Sequence, residues 1–178
     1  MVIDMMKEIR LMQPDASMLD EVAAYRTAML AAGSSMDGTS GLNNYGDPAE
    51  WLAHVQALEK QDTCPAHLVT ATLYVAVRAG DNRVVGMIDL RHRLNDFLAE
   101  YGGHIGYSVR PDERRKGYAK AMLHMVLKEA KARGLQRVLI TCDDDNVASA
   151  RTIEANGGMF ERKTSLDGEV LRRCWIEL

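Results

Sequence analysis

The segment Ser108–Ala121 (SVRPDERRKGYAKA) is basic and contains a glycine, and this combination can bind an anion. It lies between a strand-like run and an amphipathic stretch, so Gly117 is predicted to begin a helix. A helix N-terminus leaves four backbone N–H groups unpaired and carries about half a positive charge, which favours a phosphate. Gly117 lets the backbone approach a ligand, and Arg114, Arg115 and Lys116 add charge. A solvated basic turn would give the same pattern, so the spacing alone leaves both interpretations open.

The segments around this turn alternate between strand and helix patterns. Apolar residues recur at helical spacing from Gly117 to Gly134. The loop Gly33–Gly46 is long and polar, as loops that line binding sites often are. Arg91–Glu100 fits either a short helix or a loop. The predicted strands are Lys7–Met12, Leu68–Ala79, Arg83–Leu90, Gly102–Val109, Arg137–Cys142, Met159–Thr164 and Val170–Leu178. Three further helices are predicted: Ser17–Ala32 after the N-cap Asp15, one that begins at Asp47-Pro48, and one from Asn146 to about Asn156.

The order β-α-α-β-β-β-α-β-α-β-β predicts an α/β (α+β) chain with a mixed sheet covered by helices. A length of 178 residues with 47% hydrophobic content predicts one domain, residues 1–178. The net charge of -3 argues against nucleic acid or an anionic membrane as a general partner. No apolar run approaches the roughly 20 residues of a membrane span, and the N-terminus lacks a signal-peptide core, so we expect a cytoplasmic protein.

The three cysteines, Cys64, Cys142 and Cys174, lack the spacing of a zinc site or of a redox pair. We therefore expect reduced thiols and no metal. A nucleophilic Cys142 beside His104 is an alternative, although nothing in the sequence brings those two side chains together.

The stretch His104–Ala119 resembles the acetyl-CoA signature of the GNAT superfamily, a strand ending in V-x-P followed by [RQ]-x-x-G-x-[GA]. Arg114, Gly117 and Ala119 occupy the three defining positions. The resemblance covers most of the chain from about Val84 onward. Over this part the sequence is similar to an uncharacterised branch of predicted GNAT acetyltransferases.

A second motif is linked to the first. Arg137–Gly158 (RVLITCDDDNVASARTIEANGG) resembles the superfamily's next strand and its N-x-x-[AS] helix, with Asn146 and Ser149 at the matching positions. The resemblance implies a mostly antiparallel sheet with splayed middle strands, helices on both faces and acetyl-CoA as co-substrate. The strands Ile105–Val109 and Val138–Cys142 would diverge to leave a cleft for pantetheine.

The resemblance also assigns the residues that would hold acetyl-CoA. The backbone groups of Tyr107 and Val109 would pair with the pantetheine amides as a missing strand would. Asn146 would bind the pantetheine arm, although the simpler interpretation of Asn146 is a helix cap. The pyrophosphate would rest on the N–H groups of roughly Arg115, Lys116, Gly117, Tyr118, Ala119 and Lys120.

Acyl transfer requires a neutral amine, a polarised thioester carbonyl and a route for the thiolate to leave. The N–H of Val109 is the candidate for the carbonyl oxygen. Many relatives place a Glu on the strand Gly102–Val109, but this chain has Gly103 there, so Glu100, His92 and His104 are the candidate bases, each with a structural role as the alternative. Where many relatives carry a tyrosine that protonates the thiolate, this chain has Ile153, which leaves water, Ser149 or another residue for that task.

The acceptor is not specified by these residues. The preferred expectation is a small amine or an amino-acid-like metabolite, and a protein N-terminus or lysine is second. A CoA-binding sensor without turnover is an alternative of a different class, since both the Glu and the Tyr are missing. A homodimer is left open.

Overall fold

The computed structural model describes residues 8–178, so Lys7, the start of the predicted first strand, lies outside the described residues. Within them the order of strands and helices agrees with the predicted order. The elements are β1 (Ile9–Met12), α1 (Leu19–Ala31), α2 (Pro48–Leu58), β2 (Ala71–Arg78), β3 (Val84–Arg91), β4 (Ile105–Val109), α3 (Tyr118–Ala132), β5 (Arg137–Asp143), α4 (Val147–Glu154), β6 (Met159–Leu166) and β7 (Glu169–Glu177).

Local signals account for the element ends. Asp15, Asp47 and Asn146 each accept a backbone N–H at the start of a helical segment, as N-caps do. The ambiguous stretch before β4 contains a short helical turn, Leu98–Gly102. Asp167 and Gly168 both have positive φ, 52° and 88°, which is the backbone of a tight hairpin turn between β6 and β7.

The strands form two antiparallel sheets, one in the order β1-β2-β3-β4 and the other in the order β5-β7-β6. The two sheets meet where His104, just before β4, contacts Leu139 of β5. The N–H of His104 donates to the carbonyl of Leu139 at 2.7 Å. β4 and β5 do not pair beyond this point, so they splay apart as predicted.

Helices cover both faces of the first sheet because its strands alternate their side chains between two hydrophobic clusters. Ile88 and Leu90 of β3 pack with α3 and α4 in the first cluster. Met87 of β3 packs with Tyr25 of α1 and Trp51 of α2 in the second. This arrangement confirms the predicted fold class. No helix in residues 8–178 is long and apolar enough to span a membrane.

Candidate functional site

A cavity of about 1020 Å³ lies in the gap between β4 and β5. One wall is the loop Ser34–Gly41, which follows α1. The other walls are β4, the turn that leads into α3, the end of β5 and the first turns of α4. The cavity therefore lies where the sequence motifs placed the acetyl-CoA site.

Several backbone groups of β4 face this gap and have no hydrogen-bond partner among residues 8–178. The hydrogen bonds of Arg91 N–H to His104 O (2.7 Å) and of Arg110 N–H to Val85 O (2.9 Å) fix the register between β3 and β4. Backbone groups alternate in direction along an antiparallel strand, so those of Tyr107 and Val109 point away from β3. The carbonyl of Val109 accepts a bond from Arg114 Nε at 3.1 Å, which leaves its N–H for a ligand.

The turn before α3 presents a helix N-terminus to the same cavity. Gly117 is the N-cap residue, with φ 89° and ψ 3°, and no side chain of the described residues caps this end of α3. Arg115 also has a positive φ, 63°. The N–H groups of the first turn are thus available to an anion, and Gly117, Tyr118, Ala119 and Lys120 line the cavity.

The basic side chains of the turn serve different purposes. Arg114 donates to Val109 O and, at 3.0 Å, to Ser34 Oγ, so it ties the turn to β4 and to the α1 loop. Arg115 and Lys120 line the cavity. The amine of Lys116 instead pairs with Glu113 at 2.6 Å and does not line the cavity. Lys116 is the one predicted acetyl-CoA residue that lies outside the cavity wall.

Glu113 anchors the turn before α3, although its sequence pattern gave no indication of this role. Its carboxylate, only 2% exposed, pairs with Arg78 and Arg83 at 2.9 Å each and with Lys116. Burial favours the protonated form, but the hydrogen bond from Lys116 and the charges of the two arginines more than offset this, so the pKa of Glu113 is lowered. In the sequence, Glu113 has the pattern of an ordinary solvated turn residue.

The loop Ser34–Gly41 is fixed against β4 by two contacts. Ser108 Oγ donates to the carbonyl of Asp37 at 2.6 Å and lies 2.9 Å from the Tyr25 hydroxyl. Gly38, with φ 70°, lies so close to β4 that an added Cβ would overlap the carbonyl of Gly106. A side chain at position 38 would therefore displace the wall.

Asp89 and Arg91 of β3 also line the cavity, and Asp89 was not among the predicted site residues. Asp89 is buried and accepts the N–H of Gly106 at 2.9 Å. Arg91 donates to the carbonyls of Gly102 and Gly103, at 3.0 and 3.1 Å, and so holds the turn before β4. The signal in the sequence that could have identified Asp89 is a charged residue at an inward-facing position of an otherwise apolar strand.

The start of α4 closes the cavity on the β5 side. Asn146 Oδ1 accepts the N–H of Ser149 at 3.0 Å, so Asn146 caps the helix while it lines the cavity. The Ser149 hydroxyl is 2.7 Å from the Tyr107 hydroxyl. Ile153 is fully buried. Cys142 also lines the cavity, and burial raises the pKa of its thiol to about 11.

None of the three candidate bases lines the cavity. The Glu100 carboxylate pairs with Arg162 at 2.6 Å and accepts from Thr164 at 2.7 Å, and these bonds lower the pKa of Glu100 to about 2. His92 Nε2 is 2.9 Å from Thr72 Oγ1, and burial lowers the pKa of His92.

His104 is buried at the junction of the sheets. Its Nδ1 accepts the N–H of Leu139 at 2.9 Å, and burial, reinforced by the charge of Arg91, lowers the pKa of His104 to about 4. The described residues contain no group of His, Cys, Asp or Glu arranged to hold a metal ion.

Within residues 8–178, the β4 backbone groups without partners, the α3 N-terminus without a side-chain cap and the splayed strands form one cleft that suits an extended ligand with a phosphate group. The model of the acetyltransferase (GNAT) family matches residues 41–157. The chain therefore belongs to this family of acyl-CoA-dependent N-acetyltransferases. A comparison with curated protein sequences finds no match.

Several solved structures share the fold at low identity. The ribosomal-protein-S5-alanine acetyltransferase from Vibrio fischeri has a TM-score of 0.72 and 18% identity, with 95% of this chain and 91% of that chain covered. The ribosomal L7/L12 alpha-N-protein acetyltransferase RimL, in complex with coenzyme A, has a TM-score of 0.70 and 18% identity, with 96% and 94% covered. The microcin C7 self immunity acetyltransferase MccE, in complex with acetyl-CoA and AMP, has a TM-score of 0.69 and 15% identity, with 96% and 93% covered.

Proposed function

We propose that this protein transfers the acetyl group of acetyl-CoA to the primary amine of a small molecule or an amino-acid-like acceptor, by direct attack in a ternary complex. The observation that carries the proposal is that the β4 backbone, the α3 N-terminus and the polar loop Ser34–Gly41 line the same cavity. A donor held along β4 and an acceptor held by the loop would meet in that cavity without a covalent enzyme intermediate.

Acetyl-CoA is held mainly by backbone groups in this proposal. Its pantetheine amides pair with Tyr107 and Val109, and the N–H of Val109 polarises the thioester carbonyl. Its pyrophosphate rests on the first turn of α3 beside Arg115 and Lys120. Lys116 contributes its backbone N–H, because its amine is engaged by Glu113.

The acceptor side of the cavity favours a cationic amine. Asp37 of the α1 loop and Asp143 at the end of β5 both line it. Burial raises the pKa of Asp143, and the charges of Asp37, Asp145 and Glu169 raise it further. An ammonium group bound between these walls would relieve that repulsion. A protein N-terminus is the second candidate acceptor, because two of the similar structures are named as ribosomal-protein acetyltransferases.

The acceptor must lose a proton before it attacks. For a lysine-like amine with a pKa of about 10.4, this costs roughly 4–5 kcal/mol at pH 7. Glu100, His92 and His104 are each engaged elsewhere, and Asp89 already accepts from Gly106. The proposal is therefore that the amine binds as an ammonium ion, loses its proton to solvent and then attacks in the neutral form.

A screen of amines tests the proposed activity. The protein is incubated with acetyl-CoA and a library of primary amines, and both the free thiol and the acetylated amine are measured. Amine-dependent release of thiol with an equal amount of acetylated product supports the proposal. Binding of CoA by calorimetry with no thiol release from any amine or peptide N-terminus would favour the CoA-binding sensor instead.

A further inference from the structure

The hydroxyl groups of Tyr107 and Ser149 meet across the base of the cleft, although one belongs to β4 and the other to α4. Their oxygens are 2.7 Å apart, and both residues line the cavity. Tyr107 packs with the hydrophobic cluster under α3 and α4, whereas its neighbour Ser108 faces the α1 loop. The Tyr107 hydroxyl is therefore on the opposite face of β4 from the proposed acceptor.

Transfer of the acetyl group needs a group on this face of β4 that stabilises the departing sulfur. The amine nitrogen bonds to the carbonyl carbon, the C–S bond breaks, and sulfur leaves with the bonding electron pair as a thiolate. A developing anion in a cleft shielded from water is stabilised by a hydrogen-bond donor already in position. Ile153 on α4 is fully buried and has no polar hydrogen to offer.

The Tyr107 hydroxyl donates a long bond to the Ser149 carbonyl, at 3.3 Å, and lies 2.7 Å from Ser149 Oγ. Either oxygen of the Tyr107–Ser149 pair can be the donor. When Ser149 Oγ donates to Tyr107, the phenolic hydrogen can turn from the Ser149 carbonyl toward the cavity and exchange the long 3.3 Å bond for one to a ligand. Burial raises the pKa of Tyr107, so the hydroxyl keeps its proton at any ordinary pH and acts as a neutral donor.

We propose that the Tyr107 hydroxyl, oriented by Ser149, donates a hydrogen bond to the sulfur of coenzyme A as the thiolate departs. Tyr107 is not deprotonated in this step. The thiolate later takes a proton from solvent, and the proton lost by the amine passes to solvent, so the reaction needs no further reactant. The inference rests on the proposed acetyl transfer, and it assigns the leaving-group role to a strand residue rather than to α4.

The experiment compares Tyr107→Phe with Tyr74→Phe, a matched loss of a hydroxyl from a buried tyrosine of the same cluster that does not line the cavity. Turnover of the best amine from the screen should fall about 10- to 100-fold in Tyr107→Phe, as expected for one hydrogen bond to a charged group. The Michaelis constant for acetyl-CoA should stay within about threefold. Tyr74→Phe should change neither.

A second measurement does not depend on turnover. The thiol of bound coenzyme A is titrated by the ultraviolet absorbance of its thiolate. A donor at the sulfur stabilises the thiolate, so the pKa of the bound thiol should rise by about one unit in Tyr107→Phe and stay unchanged in Tyr74→Phe.

Unchanged turnover and an unchanged thiol pKa in Tyr107→Phe would overturn the assignment while leaving the acetyltransferase proposal intact. If no amine is acetylated by the wild-type protein, the proposed function fails, and the thiol titration alone decides whether Tyr107 contacts the sulfur.

Discussion

His104 and Leu139 are joined by two hydrogen bonds that link the two sheets at the narrow end of the cleft. The N–H of His104 donates to the Leu139 carbonyl at 2.7 Å, and the Leu139 N–H donates to His104 Nδ1 at 2.9 Å. Nδ1 can accept only when it carries no proton, so the junction requires a neutral imidazole. This requirement agrees with the lowering of the His104 pKa to about 4.

Stability should therefore depend on pH through His104. The unfolded chain binds a proton at this imidazole below about pH 6.5, but the folded chain does so only near pH 4. The contribution is complete above pH 6.5 and is lost as the pH falls toward 4, with a loss of about 2 kcal/mol by pH 5.

Urea unfolding at pH 7.5 and pH 5 measures this dependence. His104→Asn is the matched variant, because its amide oxygen can still accept the Leu139 N–H but does not titrate. The variant should lose about 2 kcal/mol less than the wild type between these two pH values. Equal losses would show that His104 is not the responsible group.

Gly117→Ala should weaken acetyl-CoA binding through the shape of the turn. Gly117 and Gly134 lie at opposite ends of α3 with nearly the same φ, 89° and 88°. Alanine at either position should cost about 1 kcal/mol of stability. Only Gly117→Ala should raise the dissociation constant for acetyl-CoA, by about tenfold, because only that end of α3 faces the cavity. Calorimetry measures the dissociation constant for acetyl-CoA in both variants. Equal constants would show that the turn at Gly117 does not bind acetyl-CoA.

Asn146→Ala should raise the Michaelis constant for acetyl-CoA beyond the effect of losing a cap. Asp47 is the matched control, since it caps α2 with the same kind of bond, to the N–H of Ala49 at 2.8 Å, but does not line the cavity. Each alanine variant should lose about 1 kcal/mol of stability. If steady-state kinetics give both variants the wild-type constant, Asn146 is only a cap.

Glu113→Gln should destabilise the protein and loosen the turn together. The variant removes the buried carboxylate that Arg78, Arg83 and Lys116 share, and the loss of charged hydrogen bonds of this kind typically costs about 1.5–3 kcal/mol. Asp81→Asn removes an exposed partner of Arg78 and should cost at most about 1 kcal/mol. Chemical unfolding measures both, and similar losses would argue against the anchor.

Glu100→Gln and His92→Gln should keep turnover within about threefold of the wild type. Glu100 is held by Arg162 and Thr164, and His92 lies beside Thr72 outside the cavity wall. The ratio of turnover to Michaelis constant should rise with pH as the amine itself deprotonates, with the same profile in all three proteins. A loss of 10²–10⁴-fold in either variant would identify that residue as the base.

The parts of this molecule that could be predicted depend on local sequence. The apolar spacing of α3 and the caps Asp15 and Asp47 act within one or two turns, so the element order followed from the sequence, although β2 is shorter than the predicted Leu68–Ala79. The turn at Gly117 could be predicted for the same reason, because a glycine before a helix exposes N–H groups wherever the helix lies, and its role in binding acetyl-CoA stays a prediction.

The parts that could not be predicted depend on residues far apart in the chain. Glu113 meets Arg78 and Arg83, which lie on another hairpin, and this buried carboxylate turns Lys116 away from the cavity. Tyr107 reaches Ser149 only because β4 and β5 splay. Such side-chain partners follow from how the sheets are placed, and no spacing within one segment encodes them.

The packing of Gly38 on the carbonyl of Gly106 has a consequence for how the enzyme could acquire a new acceptor. The loop backbone is docked directly on the backbone of β4 at this point, which fixes the position of the loop beside the cavity. In the proposed function, selectivity for the acceptor rests on the side chains that the docked loop displays, such as those of Ser35 and Asp37. Redesign of the acceptor range can therefore keep Gly38 and Gly106 unchanged and vary the displayed side chains alone.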